Sequence, residues 1–197
     1  MILRANQHKK MIWKNGGGIT HEIAREPDND QEEFEYRLSM ASVKYPGGPF
    51  SLYQNIDRTL CIIDGEKMTL QLNNNNNELI HLDKNSPPYS FSGEIPITCQ
   101  IYEDTLTDFN VMTKRDKFRH TVQRFISNKD QNPVEISNSN EDIIFIIIAQ
   151  GCLQINDTIM TKGDAIKFID NQQLIQISTL NDNTIIYLVK ITKLSSQ

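Results

Sequence analysis

Apolar residues in this chain come in short runs rich in Ile, Val, Thr and Tyr, broken by Gly, Pro, Asn and Asp at intervals of about 8 to 12 residues. Such runs read as β-strands over Ile19–Arg25, Glu35–Val43, Arg58–Asp64, Lys67–Leu72, Leu79–Asp83, Pro96–Glu103, Asp108–Met112 and Phe118–Phe125. In the last third, strands are expected over Ile143–Ala149, Cys152–Ile155, Thr158–Met160, Ala165–Phe168, Leu174–Ser178 and Thr184–Ile191. No segment sustains a helical apolar period over three turns, so helices should be few and short. The polar run Asn73 to Asn77 reads as a hairpin tip, and Asn128 to Asn140, with Pro133 inside it, as a connection between two halves.

A weak internal repeat sharpens this all-β reading. Arg58-Thr-Leu-Cys-Ile-Ile-Asp-Gly65 leads into Lys67–Leu72, and Ile143 to Gly151 leads into Cys152–Asn156, then Gly163-Asp164 and Ala165–Phe168. Strand, turn glycine, strand, then Gly-Asp and another strand is the rhythm of small cupin-type barrels, and its recurrence suggests two related β-barrels packed together.

With 197 residues, 38% of them hydrophobic, the chain can build one large domain or two small ones. Its formal charge of -5 argues against a dominant polyanion-binding surface. The longest apolar stretch, Ile143 to Ala149, is far too short to cross a bilayer, and the first residues lack an apolar secretory region. A cytoplasmic protein with no membrane partner is expected. Cys61, Cys99 and Cys152 are odd in number and widely spaced, and read as small buried hydrophobes. His8, His21, His81 and His120 are too dispersed for the usual metal-ligand spacings.

Candidate chemistry begins at Trp13-Lys14-Asn15-Gly16-Gly17-Gly18-Ile19-Thr20, which concentrates three of the nine glycines. Either the loop is a ligand rim, with Trp13 as apolar wall and glycine amides as donors, or it is a flexible lead into a strand. It lacks the P-loop spacing. Alternation along the next strand places Thr20, Glu22 and Ala24 on one face and His21 with apolar neighbours on the other, where a structural histidine is the simpler reading. On Glu35–Val43, Arg37, Ser39 and Ala41 share a small polar face, suited to an anion-binding interior or to solvent. Arg58 enters an apolar strand and needs a carboxylate or an anionic ligand, with Asp57 and Asp108 as candidate partners. Asp108, Asn110 and Met112 share one face. The basic run Lys114 to His120 reads as a solvated strand edge rather than a nucleic-acid patch. Asn156-Asp157-Thr158 matches a glycosylation acceptor that a cytoplasmic chain would not use.

These segments resemble the HutD/Ves family of bacterial proteins. Its W-K-N-G-G-G-x-T-x-E-I motif runs from Trp13 to Ile23, followed by Arg37-Leu-Ser-Met-Ala41, Gly48-Pro-Phe-Ser51 and Asp57-Arg-Thr-Leu60. Phe91-Ser-Gly-Glu-Ile-Pro96 and Asp108 to Thr113 complete six motifs in order over the first 113 residues. The resemblance implies a cupin-like double β-barrel (bicupin, RmlC-like jelly roll), with an N-terminal barrel over 1–113 and a C-terminal barrel over 114–197 that exchange strands within one compact unit. It also implies a role in modulating histidine utilisation, or a stress-induced role, with no established catalysis and no cofactor. The cupin metal motif G-x5-H-x-H-x3-4-E is absent after Gly65 and Gly151.

The resulting expectation is a metal-free binding protein whose first barrel holds a small anionic carboxylate of the urocanate or formyl- or formimino-glutamate type. Arg37 and Arg58 would neutralise it, Asn15, Ser39 and Asn110 would hydrogen-bond it, and Trp13, Gly17 and Phe50 would border it. Glu22 and Asp57 would orient the arginines. The rival readings are a hydrolase or isomerase with Glu22 or Asp57 as general base, and a protein-interaction module of a stress response. Sheet-edge pairing also makes a homodimer conceivable.

Overall fold

Alternating apolar side chains need two sheets to bury against each other, and the chain supplies them twice. The computed structural model describes residues 1–29, 33–73, 77–129, 134–136, 142–155, 158–169 and 175–194. Among these it has one 3-10 turn, Ala5–Gln7, and nineteen strands. They are β1 (Ile2–Leu3), β2 (Lys9–Ile12), β3 (Gly18–Glu26), β4 (Tyr36–Lys44), β5 (Gly47–Pro49), β6 (Ile56–Asp64), β7 (Lys67–Leu72), β8 (Leu79–Asp83), β9 (Tyr89–Ser92) and β10 (Ile97–Ile101). Then follow β11 (Thr105–Lys114), β12 (Phe118–Ser127), β13 (Val134–Ile136), β14 (Asp142–Gln150), β15 (Cys152–Ile155), β16 (Thr158–Thr161), β17 (Ala165–Ile169), β18 (Ile175–Thr179) and β19 (Thr184–Lys193).

The chain divides into two units, Lys9–Phe118 and Met1–His8 together with the residues from Arg119 onward. In the N-terminal unit a six-stranded sheet, β2-β3-β4-β11-β6-β9, faces a four-stranded one, β5-β10-β7-β8. Val43, Leu60, Ile62 and Leu106 from the first pack against Met68, Leu70, Leu72, Ile97, Cys99 and Ile101 from the second. Each large apolar side chain so buried contributes about 1.5–3 kcal/mol. The C-terminal unit pairs β1-β17-β14-β19-β12 with β13-β18-β15-β16 over a core of Ile144, Ile146, Ile148, Leu153, Met160, Ile177 and Ile186. Asp164 ties the first residues into this unit by accepting from the Ala5 amide (2.9 Å) and pairing with Arg4 (2.8 Å).

The sheets remain separate, so each unit is an open two-sheet sandwich where closed barrels were expected. Alternation on β3 is also interrupted. Pairing with β4 slips between Glu22 and Ala24, so Ala24 lies opposite Leu38 and leaves the face of Thr20 and Glu22. The bulge absorbs Ile23, and it is the reason a strict two-residue period fails there. Val134–Ile136, inside the stretch read as a connection, pairs with β18. Residues 74–76 of the hairpin tip, 156–157 of the glycosylation match and 174 of one expected strand lie outside the described residues. Cys61 and Cys99 are buried, while Cys152 is half-buried beside Asn181.

Candidate functional site

The interior of the N-terminal sandwich is apolar at one end and polar at the other. Three neighbouring strands arrange this by register. Arg37, Met112 and Arg58 form one row across β4, β11 and β6; Ser39, Asn110 and Leu60 form the next, and Ala41, Asp108 and Ile62 the third. Residues opposite one another in a ladder share a face, so both arginines, Asn110 and Asp108 point into the space between the sheets. A cavity of about 520 Å³ opens there, lined also by Met11, Ile12, Trp13, Lys14, Asn15, Thr20, Pro49, Phe50, Ser51 and Tyr53.

Arg58 is the most unusual group in this cavity. It is 5% exposed, and its guanidinium carbon lies 4.9 Å from the Phe91 ring centroid, 5.0 Å from Phe50 and 5.8 Å from Tyr53. One N–H donates to the Ser51 carbonyl at 3.3 Å, while Nε has no hydrogen-bond partner. Ring faces attract a cation but supply much less than the lost hydration. Burial accordingly lowers the Arg58 pKa to about 10, against smaller opposing contributions from Tyr53 and Asp108. Asp108, 3% exposed, has an unpartnered Oδ1, and burial raises it from 3.8 to about 7 despite the Arg58 charge. Arg37 lies beside the Phe34 ring (5.9 Å) and pairs with Glu22 at 2.8 Å, although its N–H is not aligned for a hydrogen bond.

The glycine-rich loop is the turn between β2 and β3. Gly16 adopts φ +71°, and its amide donates to Trp13 O at 2.9 Å, while the Gly17 amide donates to Asn15 Oδ1 at 3.0 Å. These amides hold the turn, which corrects their reading as ligand donors. Gly18 is required for a closer reason: a Cβ there would lie 2.6 Å from the Ser42 carbonyl oxygen and 2.9 Å from the Trp13 ring. That approach seats the indole, whose Nε1 donates to Thr20 Oγ1 at 2.8 Å, as a wall of the cavity.

Of the ten candidate site residues, Trp13, Asn15, Arg37, Ser39, Phe50, Arg58 and Asn110 line the cavity, and Gly17, Glu22 and Asp57 do not. Asp57 was expected to orient Arg58, but it pairs with Arg115 at 2.8 Å. Successive strand residues point to opposite faces, so Asp57 and Arg58 are turned apart. Arg115 also binds Glu94 (3.0 Å) and Ser92 (3.0 Å), and the Asn55 amide donates to Glu94 at 2.6 Å. This network joins the loop carrying Ser51 and Tyr53 to the Phe91–Pro96 motif. It holds Glu94 down at about 2, chiefly through Arg115 and Ser92. Two of the four cations of the basic run are thereby paired, Arg115 in this network and Lys117 with Glu35. Tyr53 and Phe91, which complete the aromatic surround of Arg58, come from a loop and an edge strand whose sequences carry no signal for it.

Among the described residues no group of three or more His, Cys, Asp or Glu side chains is placed to hold a metal ion, and no helix is long and apolar enough to cross a membrane.

Paired sheets in each half make this a cupin-like fold, with a polar cavity in the first unit. The same fold occurs in the Escherichia coli pirin YhhW, at TM-score 0.74 and 11% identity over 98% of this chain and 99% of that one. The HutD family model matches residues 5–186, and the chain belongs to that family. It is 32% identical over 125 residues to an uncharacterised 21.2 kDa protein in the hutC 3′ region of Pseudomonas putida, a match spanning 63% of each chain and so under two-thirds of that protein. It is 29% identical over 157 residues to Protein Ves of Cronobacter sakazakii, covering 78% of this chain and 80% of the relative. HutD from Pseudomonas fluorescens SBW25, solved in a formate condition, superposes with TM-score 0.82 at 22% identity over 99% of both chains.

Proposed function

We propose that the N-terminal cavity binds a small anionic carboxylate metabolite, without a metal, and that the protein modulates histidine utilisation through that binding. The observation that carries this reading is Arg58, a buried guanidinium whose Nε has no partner and which lines the same cavity as Arg37. A carboxylate is the planar acceptor that guanidinium groups match. Asn15, Ser39 and Asn110 offer directional hydrogen bonds to the rest of such a ligand, and Trp13 and Phe50 offer apolar walls. The hutC-region name of one relative supports the pathway, and the proposed ligands are acids of the urocanate or formyl- or formimino-glutamate type. General-base catalysis by Asp57 or Glu22 has less support, because Asp57 lies off the cavity and Glu22 is held by Arg37.

The test is thermal unfolding of EDTA-treated protein against a panel of those acids, formate and glutarate. A ligand of the native state at one hundred times its Kd stabilises by about 2.7 kcal/mol. Arg58→Met, which keeps the side-chain bulk, should remove the shift while leaving the unliganded protein folded. Saturable binding of the same acid by Arg58→Met as by the wild type overturns the assignment.

A further inference from the structure

Asp108 is the cavity group that this reading leaves unexplained. It lies two residues from Asn110 on β11, opposite Ala41 of β4 and Ile62 of β6, so it shares the polar face with both arginines. It is 3% exposed, its Oδ1 has no partner, and no ion pair involves it among the described residues. Arg37 and Arg58 sit two strands apart in one row, about 10 Å between Cα atoms from the spacing of neighbouring strands. An anion seated there would face the Asp108 carboxylate, itself buried. Two like charges cannot both persist in such a site unless one is neutralised by a proton.

We propose that Asp108 is a further binding residue of the cavity: it takes up a proton from solvent as a small anion enters beside Arg37 and Arg58, and donates the resulting O–H to that anion. The inference rests on the anion-binding reading above. No covalent bond to the ligand changes; one solvent proton adds to the Asp108 carboxylate, and the repelling acceptor becomes a donor. The other ionisable groups lining this space are Arg58 from β6, Arg37 from β4, Tyr53 from the loop before β6 and Lys14 from the β2/β3 turn; behind them Glu22 from β3 pairs with Arg37, and Cys99 from β10 lies in the core within electrostatic reach of Asp108. Burial lifts the Cys99 thiol to about 11 and leaves the Arg58 guanidinium at about 10, so neither changes charge near neutrality. Asp108, at about 7 before any anion enters, is placed to do so.

The experiment is isothermal titration of the full chain with formate and with glutarate, acids that stay ionised from about pH 6 to pH 9. For the wild type the Kd should rise about tenfold for each pH step above about 7, because binding is linked to one proton. Asp108→Asn, neutral at every pH and carrying an N–H donor, should bind the same acids with a flat profile and more tightly than the wild type at pH 9. Should Asp108→Asn fail to fold, titration of the wild type in two buffers of different ionisation heat gives the answer directly, with about one proton taken up at pH 8. A flat wild-type profile, or proton release on binding, overturns the role of Asp108 and leaves the anion site standing. Absence of saturable binding of either acid at every pH overturns the anion site and this inference together.

Discussion

Asp108→Asn also has a consequence for the unliganded protein, and its size follows from burial. The native protein holds the Asp108 carboxyl at about 7 because burial opposes its charge more than Arg58 favours it. Between about pH 4 and pH 7 the folded chain therefore keeps a proton that the unfolded chain has released. Wherever the folded state binds more protons, stability falls as pH rises. At about 1.4 kcal/mol for each pKa step, moving a carboxyl from 3.8 to about 7 costs about 4 kcal/mol once it is ionised. Arg58, depressed by burial only to about 10, stays charged throughout and adds no slope. Trp13 is the single tryptophan and lines the cavity, so its fluorescence during urea unfolding reports on the N-terminal unit. The wild type should lose about 4 kcal/mol relative to Asp108→Asn between pH 4 and pH 8, nearly all of it before pH 7. Parallel stability curves for the two proteins would show an ordinary carboxyl at Asp108 and refute the argument.

Gly18→Ala should destabilise the N-terminal unit by about 1–3 kcal/mol or more and shift Trp13 emission, since the new methyl meets backbone at 2.6 Å. Gly17→Ala meets only the end of the Asn15 side chain, at 3.2 Å, so its urea midpoint should stay close to that of the wild type. Arg115→Ala should change stability at neutral pH by no more than about 1 kcal/mol, as expected for exposed ion pairs. Because Glu94 is held below its ordinary value, that contribution exists above about pH 4.5 and fades toward pH 2, where the variant and wild-type curves should converge. Asp164→Ala removes the acceptor of the Ala5 and Thr161 amides and the partner of Arg4. It should cost about 1–3 kcal/mol, and mass spectrometry should then show trypsin cutting at Arg4, Lys9 or Lys10 before the rest of the chain.

The strands missed in the sequence, β1, β2, β5, β9 and β13, all lie at sheet edges, although three other edge strands, β8, β12 and β16, alternate clearly enough to be visible in it. An edge strand is paired on one side only and is free to be short, charged or glycine-rich. Lys9-Lys10 and Gly47-Gly48-Pro49 show this, and neither run alternates in a way that declares a strand. Alternation on β4 and β11 sufficed to bring Arg37, Ser39 and Asn110 together, because those strands pair without a slip over these residues. It was ignored at Asp57, whose place beside Arg58 in the chain puts it on the opposite face. It failed at Ala24, where a bulge, invisible in composition, reverses the faces. The rings around Arg58 come from Phe50, Tyr53 and Phe91, separated in sequence and joined only by tertiary packing.

The internal repeat shows how the interiors of the two units differ. Aligned on Gly65 and Gly151, which both turn with positive φ (+101° and +80°), the Arg58, Leu60 and Ile62 positions of β6 correspond to Ile144, Ile146 and Ile148 of β14. The neighbouring strands match as well: Asp108 and Asn110 lie opposite Ile62 and Leu60, and Ile186 and Leu188 lie opposite Ile148 and Ile146. Both pairings even slip at the same place, just before the turn glycine. On one frame, then, the C-terminal unit fills its interior with isoleucine, and the N-terminal unit sets arginine, aspartate and asparagine at equivalent positions. Exchanging such apolar groups for charges forfeits burial energy and adds desolvation cost. That cost, which apolar packing avoids, is what supports the anion-binding reading proposed for the N-terminal cavity. The remaining family motifs then have a structural task. Gly18 admits the Trp13 wall, and Asp57, Ser92, Glu94 and Arg115 fasten the loop that closes over Arg58.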